Sequence, residues 1–169
     1  MTNKKETTTK ENTIVKETAT ENTTNTATSA LTKKFEALKA FIENSNVKGI
    51  QIADETEEHK IFRSLLNIEG QNLPVFIVLN NSIYSFIQVH LVTIPEEKRA
   101  KCLPFLNELN EKYTMLNYFI NSQGNIVLNC NVTALDNNFE PAIFIALIDQ
   151  IILHLQDNYS DLMKKVWED

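Results

Sequence analysis

Between Arg99 and Trp167 the apolar residues switch from helical spacing to alternation and back again, and that order restricts the folds open to the chain. The stretch reads helix, β-hairpin, long helix. It follows three or four strands and an N-terminal helix. An antiparallel sheet of five or six strands packed by three helices satisfies this order, so the fold class expected is α+β.

The first helix follows Ser29, a suitable N-cap, with Leu31, Phe35, Leu38 and Ile42 at helical spacing to about Glu43. Ile50 and Ile52 mark a short strand, and Asp54 to Glu58 reads as an acidic turn. Phe62, Leu66 and Ile68 then share one side of a strand, with a turn expected at Gly70-Gln71-Asn72. Val75 to Leu79 is apolar on both parities, which predicts a central strand covered on both faces. After a hairpin at Asn80-Asn81-Ser82, Ile83, Ile87, Val89 and Leu91 line one face of the next strand; Tyr84, Phe86, Gln88 and His90 line the other.

Pro95, Glu96 and Glu97 open a second helix running to about Lys112. Its predicted buried arc holds Cys102, Leu103, Leu106, Leu109 and Tyr113, and Pro104 should kink it or delay its start. Met115 to Ile120 and Asn125 to Thr133 form a hairpin around Gly124. Asn137 and Glu140 are a possible capping pair for the last helix, which Asp157-Asn158 should weaken before a further turn or two to Trp167. Phe144, Leu147, Ile148, Ile151 and Leu155 are its core stripe. Ile143, Ile145 and Ile152 widen its apolar arc to about 200°, against the ~100° of a one-sided helix.

Composition narrows the function classes. Residues 1–30 hold eleven Thr and, beyond Ile14 and Val15, almost no large apolar side chain, so a disordered tail is expected before a single domain at 31–169. The four Lys and four Glu of that segment cancel, leaving the net charge of −6 on the domain, which argues against nucleic-acid binding. Lys4 and Lys5 precede no apolar stretch, and no run suits a membrane span, so neither a secretory signal nor a membrane partner is expected. Cys102 and Cys130 have no metal or redox spacing and fit a reducing, cytoplasmic setting.

Chemistry-bearing patterns are scarce. His59, His90 and His154 lack a partner at ligand spacing, the serines lack a nucleophile-elbow context, and three glycines are too few for a phosphate loop. No catalytic residue, metal or cofactor is expected. Asn107 and Asn110 fall on or beside the apolar arc of their helix, where buried amides would lock it onto the sheet or meet a ligand. Tyr84, Phe86 and His90 share a strand face that could line a groove.

Pro95-Glu96-Glu97-Lys98-Arg99, Leu106-Asn107-Glu108-Leu109-Asn110, Phe119 ahead of the Gly124 hairpin, and the helix from Phe139 to Tyr159 together resemble the YbjN family of bacterial sensory transduction regulators. That family's fold is similar to class I type III secretion chaperones. The resemblance covers about residues 31–169 and implies a cytoplasmic, often dimeric, non-catalytic protein with a chaperone-like or regulatory role. The expected function is therefore protein binding, to a client or to itself as a homodimer, with Ile143, Ile145 and Ile152 as candidate interface. A small-ligand sensor using Tyr84, Phe86 and His90 is the alternative.

Overall fold

Ser29 sets the entry to the first helix: its extended backbone turns inward and its hydroxyl accepts from the Thr32 N–H at 3.1 Å. In the computed structural model, which describes residues 29–168 except 46 and 136, α1 spans Ala30–Asn44. The expected tail at 1–30 therefore lies outside the described residues, apart from the cap and first residue of α1. Leu31, Phe35 and Leu38 bury, and the ammonium of the buried Lys34 donates to the Ser82 carbonyl at 2.9 Å. At the other end the Ser45 N–H and hydroxyl both return to the Phe41 carbonyl.

Six antiparallel strands follow: β1 (Gln51–Glu55), β2 (His59–Ile68), β3 (Gln71–Asn80), β4 (Tyr84–Thr93), β5 (Asn117–Ile120) and β6 (Asn125–Thr133). They lie in the order β1-β2-β3-β4-β6-β5. Helix α2 (Glu96–Lys112) separates β4 from β5, and α3 (Pro141–Trp167) closes the chain. The class is thus α+β, with three helices on an open six-stranded sheet. No described helix is long and apolar enough to cross a membrane.

All three helices contribute to one apolar cluster on one face of the sheet. Leu31, Phe35 and Leu38 of α1, Cys102, Leu106 and Leu109 of α2, and Phe144, Ile148, Ile151 and Leu155 of α3 meet Phe62, Leu66, Val75, Ile77, Ile87, Val89, Tyr118, Leu128 and Cys130. The alternation in β3 settles the two-faced expectation: Val75, Ile77 and Leu79 are buried, whereas Phe76 and Val78 are only half-buried. Val75–Leu79 is therefore not covered on both faces. Its second face is shielded sideways by neighbouring strands rather than by a helix.

Other expectations shift for identifiable reasons. The turn after β2 is Glu69-Gly70, at φ 48° and 81°, so Gln71 and Asn72 already belong to β3. Two positive-φ residues suffice for a tight hairpin, and they pair Ile68 with Gln71. Asp54 and Glu55 sit in β1, leaving the turn to residues 56–58, where the Thr56 hydroxyl accepts from the N–H groups of Glu58 and His59. Ile83 is exposed in the turn before β4, and Ser85 takes the first buried position on its parity.

Pro104 does not delay α2, which begins at Glu96. Its missing N–H forgoes one bond to the Ala100 carbonyl, and its ring is exposed. Leu103 is exposed, not buried, because α2 covers only a narrow strip through Cys102, Leu106 and Leu109. Glu140 is itself the cap of α3, accepting from the Ala142 N–H at 3.4 Å, so the Asn137–Glu140 pairing does not form. The helix is unbroken over its full 27 residues and continues through Asp157-Asn158 to Trp167. Asn158 is accommodated because its amide donates to the His154 carbonyl at 2.8 Å while its oxygen accepts from the Tyr113 hydroxyl at 2.8 Å. Tyr159, Leu162 and Val166 extend the buried stripe.

The two asparagines of α2 part company. Asn110 grips the Tyr118 main chain from both sides, its oxygen accepting from the N–H at 2.6 Å and its amide donating to the carbonyl at 3.0 Å. This pair ties α2 to β5. Asn107 is exposed and makes no side-chain hydrogen bond among the described residues, because its position lies outside the strip that faces the sheet. Asn110→Ala should lower stability by about 1–3 kcal/mol in urea denaturation, since two partly buried main-chain groups lose their partners. Asn107→Ala should stay within about 0.5 kcal/mol of the parent.

Candidate protein-binding surface

The uncovered face of the sheet collects the side chains that the helices leave out. Register places them in rows across the strands. Ile61 of β2 lies opposite Val78 of β3, which lies opposite Phe86 of β4. In the next row Arg63 faces Phe76, Phe76 faces Gln88, and Gln88 faces Asn129. Leu65 is 54% exposed on this face, and Phe119 of β5 is 39% exposed beside Val127. Val127 itself is buried between His90 and Phe119.

Two shallow hollows share Ile61, Val78 and Gln88. One, of about 200 Å³, also includes Phe76 and His90, whose rings lie 5.0 Å apart in a tilted contact. The other, of about 450 Å³, extends past Phe86 and Asn80 to Glu58 and His59. Together they form an open trough along the sheet, apolar in its floor and polar at its rim. Of the residues predicted to line a groove, Phe86 and His90 contribute to this trough. Tyr84 stands apart at the strand end, 53% exposed and paired with Thr133. Ile61 and Phe76 belong to the trough but come from other strands, so only the register brings them there.

The apolar excess of α3 divides. Ile152 is half-buried and packs against the core, and Ile145 is half-buried. Ile143 is 45% exposed. At least part of the wide apolar arc is thus met within the domain. Ile152→Asp should cost about 2–4 kcal/mol in a denaturant midpoint series, because it sets a carboxylate against the core. Ile143→Asp should cost less than about 0.5 kcal/mol.

A second polar cluster lies on the helix side. The Tyr118 hydroxyl and His154 Nε2 are 2.6 Å apart, and the Tyr113 ring meets His154 edge-on at 4.4 Å. Burial pushes the Tyr118 phenol well above its usual range, with Tyr113 adding to the effect. Burial also pushes His154 below its ordinary pKa; Asp157 opposes this and Lys112 reinforces it. The cluster binds α2, β5 and α3 through uncharged hydrogen bonds and has no exposed nucleophile. Burial likewise lowers His90 and raises the thiols of Cys102 and Cys130, which are unpaired with each other. Among the described residues no group of three or more His, Cys, Asp or Glu is arranged to hold a metal ion.

These histidines set a sign for pH dependence. Their folded-state pKa values are depressed, so the unfolded chain protonates first as pH falls through about 6.5. Stability should therefore be full above that value and decline below it, levelling once the folded-state pKa is passed. Urea midpoints measured between pH 8 and 5 should show the decline, and His154→Gln should make it shallower.

Comparison with protein-family models and with curated proteins finds no match to this chain.

Proposed function

We propose that the chain is a non-enzymatic protein-binding module with a chaperone-like or regulatory role, as its resemblance to the YbjN family implies. The observation that carries this reading is the one-sided packing: three helices bury one sheet face, while the other keeps Ile61, Phe76, Val78 and Phe86 against solvent. Contiguous apolar surface of this kind is stabilised by a partner that removes it from water. A trough open along its length suits an extended or helical segment of protein better than an enclosed small molecule. The acidic domain disfavours nucleic acid as that partner. Two buried free thiols suit a reducing cytoplasm. The partner is a client protein or a second copy of the chain.

Photo-crosslinking tests the surface directly. Benzoylphenylalanine in place of Phe76, in the full chain and in its own cells, should yield one discrete adduct on irradiation. The same probe at the exposed Glu111 should not give it. Val78→Lys should remove the adduct while moving Tm by less than about 4 °C. An adduct with a second copy would identify the partner as self. Equal labelling from both positions, or none, would rule out this face as a docking surface.

A further inference from the structure

The short β1 leaves part of β2 bare. β1 pairs only with residues 60–63 of β2, whereas β2 continues to Ile68. The tight Glu69-Gly70 turn fixes which main-chain groups point where. Ile68 and Gln71 exchange hydrogen bonds across it, as do Leu66 with Leu73 and Ser64 with Val75, so Leu65 and Asn67 direct their N–H and C=O groups away from β3. Pro74 lies opposite Leu65, a position where β2 asks no N–H of it. Both Leu65 and Asn67 are exposed, and among the described residues no main-chain bond outside the strand ladders reaches either.

Where β1 departs, Lys48, Gly49, Gln51, Arg63, Ser64 and Leu65 enclose a notch of about 420 Å³. It holds two cations in a chain of net charge −6. Among the described residues neither Lys48 nor Arg63 has a carboxylate within ion-pair distance.

Strand direction joins these two observations. β1 runs antiparallel to β2, with Gln51 opposite Arg63 and Glu55 opposite Lys60. A segment added antiparallel along 64–68 would occupy the line of β1 just before Gln51, and would run toward it. Its carboxyl end would arrive at Lys48 and Arg63. We propose that this edge captures the extended C-terminal segment of a partner protein, with Leu65 and Asn67 supplying the ladder and Lys48 and Arg63 receiving the α-carboxylate. The mode combines strand addition with carboxylate capture. It rests on the protein-binding reading above and specifies which part of the partner is held.

Fluorescence anisotropy with the full chain tests it, using a fluorescein-labelled hexapeptide of alternating threonine and valine. The free-acid peptide should bind at least about tenfold more tightly than its C-terminal amide, in keeping with charge-assisted bonds. A succinylated, amidated version, carrying its carboxylate at the wrong end, should bind no better than the amide. Arg63→Gln and Lys48→Gln, both at exposed positions, should each remove most of the preference without moving Tm. Amide shifts of the ¹⁵N-labelled chain should centre on Leu65 and Asn67. Equal binding of acid and amide, shifts centred elsewhere, or no binding at 1 mM peptide would overturn the proposal. If the crosslink from position 76 survives in the Lys48→Gln/Arg63→Gln double variant while the peptide test fails, only this inference falls and the sheet-face reading stands.

Discussion

The structure depends on burying a single face of its sheet. An antiparallel sheet can face water on one side, provided that the other is covered continuously. Here the cover is shared: α1 lies against β2 and β3, α2 against β5, and α3 against β2 and both other helices. No helix could do this alone, because Leu31, Phe35 and Leu38 span only one end of a six-stranded surface. The outer face is therefore free to vary without loosening the core, and it is there that Phe76, Val78 and Phe86 gather.

Polar contacts on the covered side supply what apolar packing does not, namely register between elements. Non-directional burial would let α2 slide along β5. Asn110 prevents that by matching both main-chain groups of one residue, Tyr118. The Tyr118 side chain then points to His154, and Asn158 one turn later receives Tyr113 from the end of α2. Five side chains thus relate α2, β5 and α3, and their bonds are made by neutral groups. The same arrangement explains why an asparagine at position 158, which disfavours helix by propensity, does not interrupt α3.

Much of the architecture was legible because its signals are periodic. Phe62, Leu66 and Ile68 share one parity of their strand, and the helices repeat their apolar residues at three and four. The failures came where one pattern has two physical causes. Val75–Leu79 is apolar on both parities, and such a run looks the same whether its second face is covered by a helix or, as for Phe76 and Val78, left half-buried. Leu103 lies beside the buried strip of α2 on the helical wheel, yet the strip is narrower than the wheel suggests. Glu69 adopts positive φ without being glycine, so the turn fell one residue early. Phe86 and His90 could be placed on one strand face by alternation alone. Ile61 and Phe76 could not, since only cross-strand register joins them. The notch was invisible for the same reason: Lys48 and Arg63 are distant in sequence, and the one available hint was a short β1 beside a longer β2.

An open strand edge is a liability, since it can template pairing with any extended chain. The two parts of this edge are managed differently. β1 is exposed throughout, carries Asp54 and Glu55, and is broken by a register shift between Ile52 and Asp54. Those features discourage a further strand. The bare run of β2 has no acid, proline or bulge of its own between Ser64 and Ile68; it has Leu65 facing water and cations at one end. Charge placed at the end of a vacancy acts as a filter rather than a barrier. It favours a segment that finishes in a carboxylate and runs antiparallel, and it disfavours one that continues past Gln51 or approaches in the opposite sense with its amine at Arg63. A chain that merely needed protection from aggregation would place its charges along the run. Placing them at its end makes the edge selective for direction, which is the property a recognition site requires.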